Sequence, residues 1–382
     1  MAAEYPRRVL MTADTVGGVW HYAVELARAL DRHGVRVALA TMGAPVNASQ
    51  REQVAAVRSA TLHESSYRLE WMEDPWDDVR AAGEWLNALE RELRPDVVHL
   101  NQFAFSALPL RAPKLVVAHS CVLSWWRAVH HVAAPPLWQS YREHVVAGLA
   151  GADLVAAPTR AMLDTLGANY GFDRTGLVIP NGRDAGAYAA GEKQPVVLAA
   201  GRLWDEGKNL SALEAVAPHL PWPVLVAGPV THPDGGVRAA RCVIPLGELA
   251  PAALARHYAR AAIYAAPARY EPFGLSVLEA ALSGCALVLG DIASLREVWG
   301  DAALYVAPED AVALRESLQR LIADERLRRE LAARAMRRAL TYTPERMARG
   351  YLAAYSALRE PLSGARAVRP LIPRPEAPAC AS

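Results

Sequence analysis

The 382-residue sequence lacks both an excess of charge and a long apolar run, and each absence excludes a class of protein. Its 41 basic and 40 acidic side chains leave a formal net charge of +1, whereas nucleic-acid binding needs a surplus of Lys and Arg to neutralise phosphates. The longest apolar candidate, Val277 to Gly290, is shorter than the ~18 residues of a membrane span and is interrupted by Glu279. We therefore expect neither a nucleic-acid partner nor a membrane-spanning helix.

Cysteine is scarce as well, and an apolar leader is missing. The four cysteines are Cys121, Cys242, Cys285 and Cys380, and no two of them form a Cys-x-x-Cys pair. A disulfide framework or a cysteine zinc site is therefore not expected. The first residues lead directly into the strand-like segment Val9 to Met11 without the apolar core of a signal peptide. The sequence predicts a cytoplasmic protein.

Short apolar runs alternate with amphipathic stretches along most of the chain. The runs are continuously apolar, as in Leu115 to Ala118, which is typical of strands in a parallel sheet that is buried on both faces. Alternation of strands and helices predicts crossover units and a doubly wound α/β layer. The pattern breaks at Pro180-Asn181-Gly182 and restarts at Val196 to Ala199. The sequence therefore predicts the α/β class, with two doubly wound Rossmann-like domains that face a central cleft.

These breaks divide the chain into four predicted parts. Residues 1–182 form an N-terminal Rossmann-like domain, and residues 183–343 form a C-terminal one. Residues 344–360 form a C-terminal helix that returns to the first domain. Residues 361–382 contain five prolines and are expected to form a loose tail.

The most informative segment runs from Arg269 to Ala280. Glu271 precedes a Pro-Phe-Gly turn, and Glu279 lies inside the helix that the turn begins. A helix N-terminus presents free backbone N–H groups and a partial positive charge, so the Gly274-Leu275 end suits a phosphate. Both glutamates can accept hydrogen bonds from hydroxyls of the same ligand. Taken singly, each is more typical of a solvated or capping carboxylate.

This segment resembles the Glu-x7-Glu signature of the retaining family-4 glycosyltransferases, including the Pro-Phe-Gly turn between the two glutamates. Members of that family have the two-Rossmann-domain glycosyltransferase fold, and the resemblance spans about residues 8–358. It implies that Glu271 contacts hydroxyls of the donor sugar and acts in catalysis, and that Glu279 binds the ribose of a sugar nucleotide. It also assigns donor binding to the residues of the turn and the helix end: Phe273, Gly274 and Leu275.

The segment Gly201 to Asn209 resembles the part of the family in which an Arg and a Lys hold the donor pyrophosphate. Those roles fall on Arg202 and Lys208. Two cations at the end of a strand can neutralise a diphosphate leaving group without a metal, and no Asp-x-Asp occurs in the cleft segments to hold one. The family more often has Gly after the Lys, where this chain has Asn209. We expect a nucleotide-sugar co-substrate such as a UDP- or GDP-sugar, with no metal and no other cofactor.

Three further positions match the family at strand ends. Gly17 and Gly18 match a glycine loop that approaches the donor phosphate, although a Gly-Gly pair also forms plain tight turns. His119 falls where the family has an active-site histidine near the donor sugar. Leu246 and Gly247 match the strand end whose backbone meets the nucleobase. The resemblance thus places the donor side on the second domain and the acceptor side on the first.

Two adjacent tryptophans, Trp125 and Trp126, follow His119 in a segment that is interpreted as a loop. Leaving the large apolar ring of a tryptophan exposed to water in a loop costs free energy. Three roles remain open for them: stacking on a sugar acceptor, contact with a lipid interface, or packing against a neighbouring helix. The prediction therefore includes a peripheral contact at the inner face of a membrane as one alternative.

Taken together, these residues predict a retaining hexosyl-type glycosyltransferase of class EC 2.4. It would move a sugar from a nucleotide-diphosphate donor to a sugar, lipid or small-molecule acceptor. The alternative is a sugar-nucleotide epimerase on the same fold, which needs a carboxylate and histidine set for proton abstraction. A Rossmann dehydrogenase is disfavoured because no Gly-x-Gly-x-x-Gly follows the first strand. The donor base, the sugar, the acceptor and the oligomeric state are left open.

Overall fold

Two parallel sheets with helices on both faces make up the part of the chain that the computed structural model describes, residues 6–232, 235, 236, 238 and 240–359. The predicted loose tail at residues 361–382 and Cys380 lie outside the described residues. The prediction of two doubly wound α/β domains is confirmed. We call the sheet of β1 to β7 with its helices the first domain, and the sheet of β8 to β13 with its helices the second domain.

The first domain has seven parallel strands in the order β3-β2-β1-β4-β5-β6-β7. Its strands are β1 (Arg8–Asp14), β2 (Arg36–Met42), β3 (Ala60–His63), β4 (Val97–Leu100), β5 (Lys114–Val117), β6 (Leu154–Ala157) and β7 (Leu177–Val178). Its helices are α1 (Gly18–Asp31), α2 (Ala48–Ala55), α3 (Trp76–Leu93), α4 (Val122–His130), α5 (Gln139–Gly151) and α6 (Arg160–Tyr170). The strand order reverses between β1 and β4, so their carboxyl ends open a crevice for a ligand.

The second domain has six parallel strands in the order β10-β9-β8-β11-β12-β13. Its strands are β8 (Gln194–Ala200), β9 (Val224–Ala227), β10 (Ile244–Gly247), β11 (Ala261–Ala266), β12 (Ala286–Gly290) and β13 (Leu304–Val306). Its helices are α7 (Leu210–Val216), α8 (Pro251–Arg260), α9 (Leu275–Leu282), α10 (Ala293–Trp299), α11 (Ala311–Ala323) and α12 (Glu325–Ala339), and α13 (Pro344–Arg359) follows them. Here the order reverses between β8 and β11.

The strands are buried on both faces, as their continuous apolar sequences predict. In β1, Val9 and Met11 pack into the core beneath α1, while Leu10 packs into the core on the opposite face. In β8, Val197 and Leu198 point to opposite cores in the same way. Helices therefore cover both sides of each sheet, and only the carboxyl ends of the strands remain available to a ligand.

Helix α13 packs against the first domain although it follows the second in sequence. Its buried residues join the core of α1 and β1: Met347, Ala348, Tyr351, Leu352, Ala354 and Tyr355. The chain thus crosses between the domains twice, at residues 182 and 343, and the crossings touch. A Cβ on Gly182 would lie 2.3 Å from the carbonyl oxygen of Thr343, so only glycine fits there.

A buried histidine ties α13 to the first sheet. His99 lies at β4 with its Nδ1 2.6 Å from the hydroxyl of Tyr355 and its Nε2 3.1 Å from the hydroxyl of Tyr22. Burial lowers the pKa of His99 to about 3, so the ring is neutral. Both ring nitrogens have a partner, as a fully buried imidazole requires.

Replacing Tyr355 with Phe should destabilise the protein by about 1–3 kcal/mol, because a buried nitrogen of His99 loses its hydrogen bond to the Tyr355 hydroxyl. Tyr351→Phe is the matched control: Tyr351 lies one turn earlier on α13, is equally buried, and its hydroxyl faces Tyr22 and makes no hydrogen bond to His99 among the described residues. Urea unfolding measures the difference. Equal midpoints for the two variants would contradict the role given to the His99 pair.

Candidate active site between the two sheets

The crevices of the two sheets face each other, and the loops that leave them are in contact. Gly17 lies in the loop after β1, and a Cβ there would lie 3.3 Å from Nη1 of Arg202, which follows β8. A Cβ on Gly18 would lie 3.8 Å from Cδ1 of Leu275. Gly17 has a φ of 106°, which favours glycine. The structure therefore brings together four predicted donor-site residues from both domains.

The predicted catalytic Glu271 lies between the predicted cation and the predicted phosphate-binding helix end. Lys208 Nζ donates to its Oε2 over 2.6 Å, and the backbone N–H of Gly274 donates to its Oε1 over 2.9 Å. Gly274 is the N-cap of α9 and has a φ of 89°. The carboxylate thus occupies a cation and a helix N-terminus, two kinds of group that favour an anion.

Arg202 is held by a neighbouring carboxylate that the sequence did not single out. Its Nη2 donates to Oδ2 of Asp205 over 2.9 Å, and its guanidinium lies 5.2 Å from the centre of the Trp204 ring. Burial raises the pKa of Asp205, but the charges of Arg202 and Lys208 and two hydrogen bonds outweigh it, so the pKa is lowered overall. Asp205 is therefore ionised in the folded protein.

Asn209 follows the lysine, where the family more often has glycine, and it adopts the left-handed backbone conformation that favours glycine. It is fully buried and left-handed, with a φ of 57°. Asn is the residue other than glycine that most readily adopts this conformation. Its amide nitrogen donates to the carbonyl oxygens of Pro267 and Pro308 over 2.9 and 2.8 Å. These bonds fix the loop that carries Lys208.

The predicted ribose ligand Glu279 belongs to a buried ion network that joins both domains. Its Oε1 lies 2.7 Å from Nη2 of Arg183, a residue of the segment between the two sheets. Nη1 of Arg183 lies 3.6 Å from Glu25 of α1, and burial raises the pKa of Glu25 although Arg183 opposes the shift. The sequence pattern marked Arg183 only as the first residue of the predicted second domain. A basic residue directly after Pro-Asn-Gly at the domain boundary is the signal that could have indicated it.

His119 lies half-buried after β5 and is oriented by a neighbouring amide. Its Nε2 is 2.8 Å from Oδ1 of Asn101, whose own Nδ2 donates to the carbonyl oxygen of Thr12 over 2.5 Å. The amide is thereby fixed with its oxygen toward the ring, so Nε2 of His119 carries the proton. Burial lowers the pKa of His119 to about 3, and the ring is neutral at pH 7.

Asp14, the last residue of β1, is a site residue that sequence reasoning missed. Burial raises its pKa to about 7, although the N–H of Val16, the indole of Trp71 and the charge of Arg202 lower it. Val16 N and Trp71 Nε1 donate to its two oxygens over 2.6 and 3.3 Å. A carboxylate that ends an apolar strand just before the Gly-Gly pair was the available signal.

The remaining predicted donor residues lie at different distances from Arg202 and Lys208. Phe273 is buried in the core of the second domain, beneath the turn that it belongs to. Leu246 and Gly247 end β10, which β9 separates from β8, so they lie roughly 10 Å from the strand that carries Arg202. That separation leaves room for a ribose between a diphosphate at Arg202 and a base at Gly247. The binding roles of all these residues stay predictions.

Trp125 and Trp126 lie on helix α4, so the prediction of a loop is wrong. Cys121 caps this helix, since its sulfur accepts from the N–H of Ser124. Both tryptophans are half-buried, with ring centroids 6.1 Å apart. Trp125 Nε1 donates to Oδ1 of Asp205 across the cleft over 2.8 Å.

No three His, Cys, Asp or Glu side chains among the described residues come together as a metal-binding group. None of the helices described combines the length and the apolar composition that crossing a membrane requires.

Sequence comparison finds two matching families and several relatives. The family described as Glycosyltransferase Family 4 matches residues 16–186, and that described as Glycosyl transferases group 1 matches residues 194–324. O-antigen chain mannosyltransferase B of Escherichia coli is 34% identical over 101 residues, 26% of this chain and 26% of that protein. Phosphatidyl-myo-inositol mannosyltransferase of Mycolicibacterium smegmatis is 26% identical over 268 residues, 65% of this chain and 67% of that protein. The epimerase alternative finds no support in these relatives.

Solved structures with the same fold include two whose chains this protein matches over nearly their whole length. Sucrose-phosphate synthase from Thermosynechococcus elongatus has a TM-score of 0.76 at 19% identity, over 92% of this chain and 99% of that one. HepE of Anabaena in complex with UDP-glucose has a TM-score of 0.71 at 17% identity, also over 92% and 99%. The two family models together match most of residues 16–324, so the chain belongs to the glycosyltransferases, with the Family 4 model matching its first domain and the group 1 model its second. The solved structures show that it shares their fold.

Proposed function

We propose that this glycosyltransferase moves a hexose from a nucleotide-diphosphate donor to an acceptor hydroxyl with retention of the anomeric configuration. One observation carries the proposal: Lys208 and the start of α9 converge on the Glu271 carboxylate, where they would hold a diphosphate. Arg202 approaches the same cleft opposite Gly17. The complex of HepE with UDP-glucose supports a nucleotide-sugar donor. The two mannosyltransferase relatives support a hexosyl group and a sugar or lipid acceptor.

The donor diphosphate would exchange places with Glu271 as the partner of the site's positive charges. Arg202, Lys208 and the N–H groups at Gly274 then stabilise the charge that develops when the bond between the anomeric carbon and the diphosphate oxygen breaks. The released Glu271 carboxylate accepts hydrogen bonds from the sugar hydroxyls. We therefore assign charge stabilisation to the protein's own cations.

Retention follows in this proposal from attack on the same face that the diphosphate leaves. The acceptor oxygen forms its bond to the anomeric carbon as the leaving bond breaks, and the acceptor proton passes to a diphosphate oxygen. His119 takes no part in proton transfer near pH 7, because its pKa is lowered to about 3. It serves as a neutral hydrogen-bonding group beside the sugar. The acceptor enters on the side of the first domain, near Asp14.

A screen for thermal stabilisation with UDP-, GDP- and ADP-sugars tests the proposal, followed by incubation of the stabilising donor with candidate acceptors. A ligand at a hundred times its dissociation constant adds about 3 kcal/mol of stability, which is readily detected. Sugar, lipid and small-molecule acceptors are compared in parallel. The proposal would be overturned if no sugar nucleotide stabilised the protein and none was hydrolysed or transferred.

Glu271→Gln should abolish transfer while leaving nucleoside-diphosphate binding unchanged or tighter. The glutamine oxygen can still accept from Gly274, but the negative charge that occupies Lys208 is gone. Calorimetry with UDP or GDP and turnover with the full donor measure the two effects, and we expect a loss of turnover of about a hundredfold or more. Glu206→Gln, an exposed carboxylate two residues from Lys208, is the control. Collapse of diphosphate binding in a folded Glu271→Gln protein would contradict the assignment to the sugar.

Transfer should proceed in excess chelator, give a retained anomer, and fail in Lys208→Ala. Removing one of the groups that stabilise the leaving diphosphate should lower the rate by roughly a hundredfold or more. Product NMR on the wild type and the variant, each with and without chelator, reads out all three points. An inverted anomer would refute same-face attack, a dead enzyme in chelator would refute metal independence, and an unimpaired variant would refute the role of Lys208.

A further inference from the structure

One hydrogen bond joins the two domains directly beside the donor cations. Trp125, on α4 of the first domain, donates its Nε1 proton to Oδ1 of Asp205, in the turn after β8 of the second, over 2.8 Å. The indole also packs tightly against the backbone of Gly207, since a Cβ on that glycine would lie 2.9 Å from the same nitrogen. The indole therefore reaches the second domain only when the two domains are docked as they are here.

Asp205 divides its two oxygens between this contact and Arg202. Oδ1 accepts from Trp125 and from the backbone N–H of Gly207 over 2.9 Å, while Oδ2 accepts from Nη2 of Arg202 over 2.9 Å. The Asp205 side chain is only 6% exposed. A buried carboxylate depends on such donors for its orientation and for its charge.

Arg202 depends on Asp205 for its direction more than on any other polar contact of the described residues. Its side chain is 34% exposed and otherwise lies against the ring of Trp204. With Nη2 held by Asp205, Nη1 faces Gly17, the loop to which donor phosphate binding is assigned. A guanidinium is a planar fork, so fixing one nitrogen fixes the direction of the other.

We propose that Trp125 and Asp205 are positioning residues, which hold Arg202 toward the donor diphosphate when the first domain is docked. The inference rests on the proposed function and deepens it. Trp125 touches neither the diphosphate nor the sugar; it acts on Asp205, and Asp205 acts on Arg202. Separation of the domains removes one donor from Asp205 and frees the Arg202 fork. Activation of the leaving group is thereby coupled to closure of the cleft, which disfavours hydrolysis of the donor in the open protein.

The adjacent tryptophan supplies a matched control. Trp126 lies on the same helix and is also half-buried, but its Nε1 is buried without a hydrogen-bond partner among the described residues. Its ring lies 4.4 Å from that of His130. Trp→Phe at either position makes the same change in size, and only at Trp125 does it remove a hydrogen bond to a charged group.

The test compares Trp125→Phe, Trp126→Phe and Asp205→Asn with the wild type in donor kinetics and in calorimetry with UDP or GDP. Trp125→Phe should lose about ten- to hundredfold in kcat/KM for the donor, the effect of one hydrogen bond to a charged group. It should also bind the nucleoside diphosphate more weakly, while Trp126→Phe stays within about twofold of the wild type in both measurements. Thermal unfolding confirms that each variant is folded.

A double-mutant cycle shows whether Trp125 acts through Arg202. In an Arg202→Ala background, Trp125→Phe should cause little further loss of donor binding or turnover, because the group that it positions is gone. A purely structural tryptophan would instead cost the same factor in both backgrounds. Additive losses, or equal effects of the two Trp→Phe changes, would overturn the proposal.

The two proposals fail in different ways. If the wild type transfers sugar but the variants show no coupling, only the positioning role is refuted. If the wild type transfers no sugar from any nucleotide donor, the proposed function is refuted. The positioning role is then tested by the double-mutant cycle for binding of UDP or GDP alone.

Discussion

Charge balance in the cleft is the constraint on which the rest of the structure depends. Arg183, Arg202 and Lys208 lie between the two sheets, and each is paired with a carboxylate: Arg183 with Glu279, Arg202 with Asp205, and Lys208 with Glu271. Removing one partner of a buried pair costs several kcal/mol, because the other charge is left without compensation. The protein must therefore carry the carboxylates in order to carry the cations. In the proposed function, an anionic ligand takes over the partnership of Lys208 with Glu271.

The three pairs differ in what they join, and this difference separates their roles. The Arg183 network connects α1, the segment between the sheets and α9, and it is almost fully buried, as a fixed junction between two domains requires. The Lys208 pair lies within the second domain and is more exposed, as the exchange with a ligand that we propose for its glutamate requires. The Arg202 pair stands between these extremes, since its aspartate is buried and bonded to the first domain while its guanidinium faces the cleft.

The two adjacent chain crossings between the domains restrict how the domains can move and so favour these contacts across the cleft. Gly182 and Thr343 touch where the chain passes from one domain to the other, and α13 is anchored to the first domain through Tyr355 and His99. Two adjacent connections restrict the relative motion of the domains to a hinge far better than one. In our proposal, this restriction lets Trp125 return to Asp205 when the cleft closes. The same geometry places Glu297 of α10 on the first N–H groups of α6.

The sequence alone determined the fold class, because continuous apolar runs predict buried parallel strands. It also predicted an anion site at a helix end from the Pro-Phe-Gly turn, and it indicated Arg202 and Lys208 only through resemblance to a family. It did not indicate Asp14, Arg183 or the partner of Trp125, and it misassigned the helix that bears the tryptophans. Trp125 and Asp205 are 80 residues apart, and Arg183 and Glu279 are 96 apart. No periodicity links residues at such separations. Their pairing is decided only when two sheets dock and a buried charge must find its partner.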